Sequence, residues 1–103
     1  MGTQYLRLFL SAVDPADVEE VRALFVEDVR PTFAAHEGCL GIELIVNAEK
    51  NAGGLVEGAA LSRWTTLAAM ESALASRDIV DSLVRIRQLL RQEPVSKVFE
   101  VIA

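Results

Sequence analysis

Residues 39–47 read Cys-Leu-Gly-Ile-Glu-Leu-Ile-Val-Asn. In an extended chain, Leu40, Ile42, Leu44 and Val46 share one side. Cys39 and Ile45 fall on the other, with Gly41 and Glu43. A strand that is greasy fore and aft needs cover on both sides. Residues 4–12 repeat the pattern: Leu6, Leu8, Leu10 and Ala12 on one face, Tyr5, Arg7, Phe9 and Ser11 on the other. Two more strands are expected at Val56–Trp64 and Val95–Ile102.

Helices are expected between them. Asp14-Pro15 opens the first: Asp14 as cap, Pro15 at the first helical position, and Asp17, Glu19 and Glu20 near the positive dipole end. Val18, Val21, Phe25 and Val29 form its apolar stripe. Pro31 should kink or end it, leaving Thr32–His36 as a short tail stopped by Gly38. Asn47–Gly54 reads as a loop between antiparallel strands. Thr65 or Thr66 caps a helix carrying Leu67, Met70 and Leu74. Asp78 caps another, with Ile79, Leu83, Ile86 and Leu90 in a stripe and Arg85, Arg87 and Arg91 toward its negative end.

The order β-α-β-β-α-α-β predicts an α+β, ferredoxin-like sandwich: a four-stranded antiparallel sheet with helices on one face. At 103 residues, the chain is read as a single domain, 1–103. Apolar residues make up 51% and charged ones 24%, which excludes a disordered chain. Mean hydropathy is +0.30, yet no stretch reaches the ~18 uncharged apolar residues of a membrane span. The surplus apolar surface, together with the uncovered sheet face, predicts a homodimer packed sheet to sheet. The net charge of −5 argues against nucleic acid. A single cysteine, Cys39, allows no intramolecular disulfide or cysteine-rich zinc site and fits a cytoplasmic setting. The start of the chain has neither a signal-peptide apolar region nor a myristoylation motif. No metal and no cofactor is expected, since no ligand cluster and no phosphate-binding glycine loop is present.

Trp64 shares its strand face with Gly58, Ala60 and Ser62. Small side chains beside one large flat ring can leave a slot for a planar aromatic ligand; plain core packing is the alternative. His36 is the one histidine, and a base for a phenol proton suits it, although its turn also suits a solvated role. Tyr5, Arg7, Arg63 and Arg85 are anchors for a phenolate or carboxylate, or else salt-bridge partners. The cluster Arg85, Arg87, Arg91 reads as a solvated helix end. Cys39 reads as a small buried hydrophobe.

The segment Phe33-Ala-Ala-His-Glu-Gly-Cys-Leu-Gly41, the strand ending in Arg63-Trp64, and the following Thr-Thr-Leu-Ala-Ala-Met-Glu with Ser76 resemble the antibiotic biosynthesis monooxygenase family. The resemblance runs from Tyr5 to Val101. It implies a dimeric α+β barrel of ferredoxin-like subunits, and an activity among cofactor-free oxygenation of polycyclic phenols and quinols, haem degradation, and unassigned roles. The phenol-oxidising members carry an amide and a tyrosine where this chain has Ala60 and Met70, and many members carry histidines in or after the following helix, where it has Ala73 and Asp78. The haem-degrading pattern needs an Asn in the first strand and a His on the helix, and both are missing. The expected function is therefore a cofactor-independent monooxygenase of a small aromatic, quinol-type or polyketide-like substrate. Trp64, Ser62, Tyr5 and Arg85 would bind it, and His36 and Arg7 would act in catalysis. The alternative is a dimeric small-molecule-binding or accessory protein without turnover.

Overall fold

A computed structural model describes residues 3–49 and 53–103. Four strands, β1 (Tyr5–Val13), β2 (Cys39–Val46), β3 (Val56–Trp64) and β4 (Val95–Glu100), form one sheet in the order β2-β3-β1-β4. Every pairing is antiparallel. The helices, α1 (Val18–Leu24), α2 (Arg30–Ala34), α3 (Leu67–Leu74) and α4 (Arg77–Arg87), supply the second layer. This is the ferredoxin-like α+β plan. No helix of the described residues is long and apolar enough to cross a membrane.

Asp14 caps the first helical turn, its carboxylate accepting from Ala16 N at 2.9 Å. Of the two outcomes expected at Pro31, a kink or an end, the helix does not end there. Between α1 and α2 lies a π-helical turn, Phe25–Val29, closed by a bond from Arg30 N–H to the Phe25 carbonyl, five residues back. The wider turn lets the chain restart as α2, with Pro31 in a first turn where no N–H is needed. Phe25, Val29 and Phe33 thereby all stay buried.

Strand alternation also breaks once. Cys39 pairs with Trp64 while Gly41 pairs with Arg63, so Leu40 is an extra residue in a bulge. Gly41 sits at φ 149°, where a side chain is rarely accommodated. The bulge moves Cys39 onto the face of Ile42, packed against the core, and leaves Leu40 exposed. Burial pushes the Cys39 thiol pKa up, as suits a packing residue. Asp78 is not the cap of α4: Ser76 holds that position, and Asp78 lies inside the first turn.

The register sorts the sheet into two faces. Tyr5, Arg7, Phe9, Ser11 and Val13 lie opposite Trp64, Ser62, Ala60, Gly58 and Val56, and this face carries the core under the helices. The other face presents Leu6, Leu8, Leu10, Leu61, Ile45, Val95 and Phe99. Ile45, Val95 and Phe99 are 42%, 52% and 47% exposed, so no helix covers this side.

Candidate functional site

Between the helix layer and the sheet lies a cavity of about 220 Å³. Its floor is Phe9, Leu44, Val56, Gly58 and Ala60; its roof is Val18, Val21, Val29, Leu83, Ile86 and Leu90. A dry apolar cavity of roughly 150 Å³ takes benzene, so this one is large enough for a ring-sized apolar guest. Its polar lining is Ser11, Glu19 and Arg22. Glu19 and Arg22 are exposed and ion-paired at 3.6 Å, which places them at the solvent edge.

Two small residues make the space. Ala60 faces Phe9 across β1 and Leu44 across β2. Gly58 is small for a further reason: a Cβ there would lie 2.8 Å from the Ile45 carbonyl oxygen. The closeness of β2 excludes a side chain at that position.

Trp64 does not line this cavity. It is fully buried and packs tilted against Phe33, with centroids 6.2 Å apart and planes at 56°. Its indole N–H donates to Ser62 Oγ at 2.9 Å, so the ring's one polar group is satisfied internally. The slot predicted beside Trp64 is filled; the open volume begins at Ala60, two steps along the same face. Ser62 is the buried acceptor that fixes the indole.

Tyr5 is half-buried against the core, opposite Trp64 in register. Arg7 lies on the helix-facing side, its guanidinium 5.5 Å from the Phe9 ring centroid, and donates to Ser96 Oγ at 3.1 Å. Burial, and next the charge of Arg87, lower its pKa from the ordinary arginine value. Arg87 stands 5.8 Å from the same centroid. The sequence reading grouped Arg87 with Arg85 and Arg91. On the helix, however, Arg85 turns the other way and grips Asp28 with two bonds, of 2.6 and 3.0 Å. That clamp lowers the Asp28 pKa and raises that of Arg85; it joins two helical segments and is not part of this cavity's lining.

His36 is held elsewhere. Its Nε2 lies 3.0 Å from both carboxylate oxygens of Asp78, and Ser76 Oγ donates to Asp78 Oδ1 at 2.6 Å. Histidine, carboxylate and hydroxyl meet, but serine and aspartate sit beside the same ring nitrogen. A nucleophilic relay needs them on opposite nitrogens; this cluster ties the turn after α2 to the start of α4. Asp78 and Ile86, which lines the cavity, are about 12 Å apart along α4. None of the predicted site residues Tyr5, Arg7, His36, Ser62, Trp64 and Arg85 is among those lining the cavity; Arg7 reaches it only through Phe9, the ring it lies over. Phe9 and Arg87 are the neighbours that single-strand reading underweighted. The cross-strand partnership of Phe9 with Ala60 marks the position, but it needs the register.

Residues 5–82 match the model of the antibiotic biosynthesis monooxygenase family. Comparison with curated protein sequences finds no match. Among solved structures, the chain is similar to Rv0793 of Mycobacterium tuberculosis at 19% identity and TM-score 0.71, covering 97% of this chain and 96% of that one. It is also similar to a Bordetella bronchiseptica protein provisionally named an antibiotic biosynthesis monooxygenase, at 16% identity and TM-score 0.79 over the whole of both chains. At such identities these likenesses concern the fold.

Proposed function

The chain belongs to the antibiotic biosynthesis monooxygenase family, and on that premise we propose that it oxygenates a small, electron-rich aromatic of quinol type held in the interlayer cavity, with no cofactor. The observation that carries this reading is the ring-sized apolar cavity whose Phe9 wall is flanked by a half-buried cation, Arg7. Cofactor-free oxygenation needs a substrate anion, a charge to stabilise it, and exclusion of water while oxygen reacts. When a ring C–H of a phenol becomes a quinone carbonyl, one oxygen atom enters the product and the other leaves as water, carrying the hydrogens of that C–H and of the phenol O–H. The substrate supplies all four electrons. Arg7 favours the anion electrostatically, while the Val, Leu and Ile roof keeps the site dry. Ser62 and Trp64 support the floor from behind, and Tyr5 borders the same face.

In the same proposal the active species is a cytoplasmic homodimer. The uncovered face with Leu8, Ile45 and Phe99 is the kind of apolar surface that a second copy buries. Sedimentation should give twice the chain mass, and Leu8→Glu should halve it.

A second reading, binding without turnover, is favoured by the cavity's chemistry. The one carboxylate lining it, Glu19, is engaged by Arg22, and His36 is engaged by Asp78. Oxygen uptake with a panel of quinols and naphthols separates the two. Uptake above the buffer rate, lost in Ala60→Leu, supports oxygenation. Ligand binding by calorimetry with no uptake supports the second reading.

A further inference from the structure

Arg7 and Arg87 come from opposite layers and meet over one ring, Phe9, at 5.5 and 5.8 Å from its centroid. Arg22, Arg63, Arg85 and Arg91 are ion-paired. Arg7 and Arg87, like Arg30 and Arg77, have no carboxylate partner among the described residues, but only they share one ring. Carboxylates are not scarce: the chain has 15 acidic against 10 basic residues. Glu93 shares a surface depression with Arg87 and still makes no ion pair with it. Each guanidinium carries five N–H donors. The one side-chain hydrogen bond given to the pair is that from Arg7 to Ser96 Oγ. Ser96 accepts there, and its own hydroxyl proton has no acceptor among the described side chains. A partly buried Arg7 beside an exposed Arg87 brings two like charges together, which repel each other, and an anion between them reverses the sign of that interaction. Phe9, and the Ile86 and Leu90 that flank Arg87 on the chain, also line the cavity. The two guanidinium groups therefore lie over a ring that is itself part of the cavity lining.

We infer that Arg7, Arg87 and Ser96 form a head-group site for an organic monoanion, a carboxylate or phenolate, whose apolar ring occupies the adjoining cavity. The inference rests on the cavity being the ligand site, as proposed above, and adds the charge class of the ligand. Guanidinium–carboxylate bonds are charge-assisted and directional. The acid is therefore bound in preference to a neutral molecule of the same shape.

Calorimetric titration with 2-naphthoate, 2-naphthamide and inorganic phosphate tests it. The acid should bind about tenfold more tightly than the amide, as expected for one net charge-assisted contact. Arg87→Gln, at an exposed position, should remove that preference, and Arg87→Lys should retain part of it. Arg7→Gln should act in the same direction. Equal binding of acid and amide overturns the inference, as does a preference that survives both Gln variants. Phosphate binding without naphthoate binding overturns the link between head group and cavity, and no binding of any of the three overturns the site itself. Oxygen uptake is read separately. Acid preference without uptake removes the oxygenase and keeps the head-group site; uptake without acid preference does the reverse.

Discussion

At one end of β3, Trp64 and Ser62 fill the space under the helices completely; at the other, Ala60 and Gly58 leave about 220 Å³ open. Both ends face the same helix layer, and both are walled by apolar side chains. They differ in side-chain volume on the strand and in whether the residue opposite compensates. Phe33 meets the indole at the solid end. At the hollow end the roof is valine and leucine, too short to reach an alanine or a glycine. Protein interiors normally close such gaps; this one stays open, bordered by the Phe9 ring over which Arg7 and Arg87 lie.

The comparison can be broken most severely at the solid end. Trp64→Ala should cost about 3–5 kcal/mol, read as a drop in the urea midpoint, with little recovery of volume by the rigid neighbours. A loss below 1 kcal/mol would mean that the end is not tightly packed. Ser62→Ala should cost about 1–3 kcal/mol, because it strands the indole N–H; Ser62→Thr should preserve the acceptor. At the hollow end, Ala60→Leu should weaken naphthoate binding at least about tenfold while leaving the urea midpoint unchanged or raised, since the new side chain enters open volume. A large destabilisation instead would show that the gap is not available to a side chain.

The smallest effect concerns the His36–Asp78 tie, remote from both ends. The hydroxyl of Ser76 and then His36 hold the Asp78 pKa below its ordinary value of 3.8. A carboxylate whose pKa is lowered by folding stabilises the fold above its unfolded pKa, and that contribution is lost as pH falls through the folded value. Stability curves should therefore fall below about pH 4, and Asp78→Asn should flatten that acid limb slightly without changing ligand affinity. An unchanged acid limb would show that the tie contributes nothing.

Much of the architecture was readable in the chain because strand and helix periods are local properties. The two-sided apolar strands, the Asp14–Pro15 helix start and the order of elements all appear in the sheet and its helices. Local rules failed where the backbone departs from a regular repeat. The π-turn carries the helix past Pro31, and the bulge at Leu40 exchanges Cys39 onto the core face. The site was half legible. Gly58 and Ala60 were recognisable as small residues beside a large one, but that Arg7 and Phe9 share their face needed the register, and the ring that borders the space is Phe9.

The sequence by itself determined the family, the layer plan and the surplus of apolar surface, since these follow from composition, periodicity and local motif. Tertiary structure alone decided that Trp64 is sealed against Phe33, that the cavity opens at Ala60, and that Arg87 separates from Arg85 to join Arg7 over Phe9. Those outcomes depend on which side chains meet across strands and layers. That choice is made by register and packing between segments far apart in the chain, which no local spacing encodes.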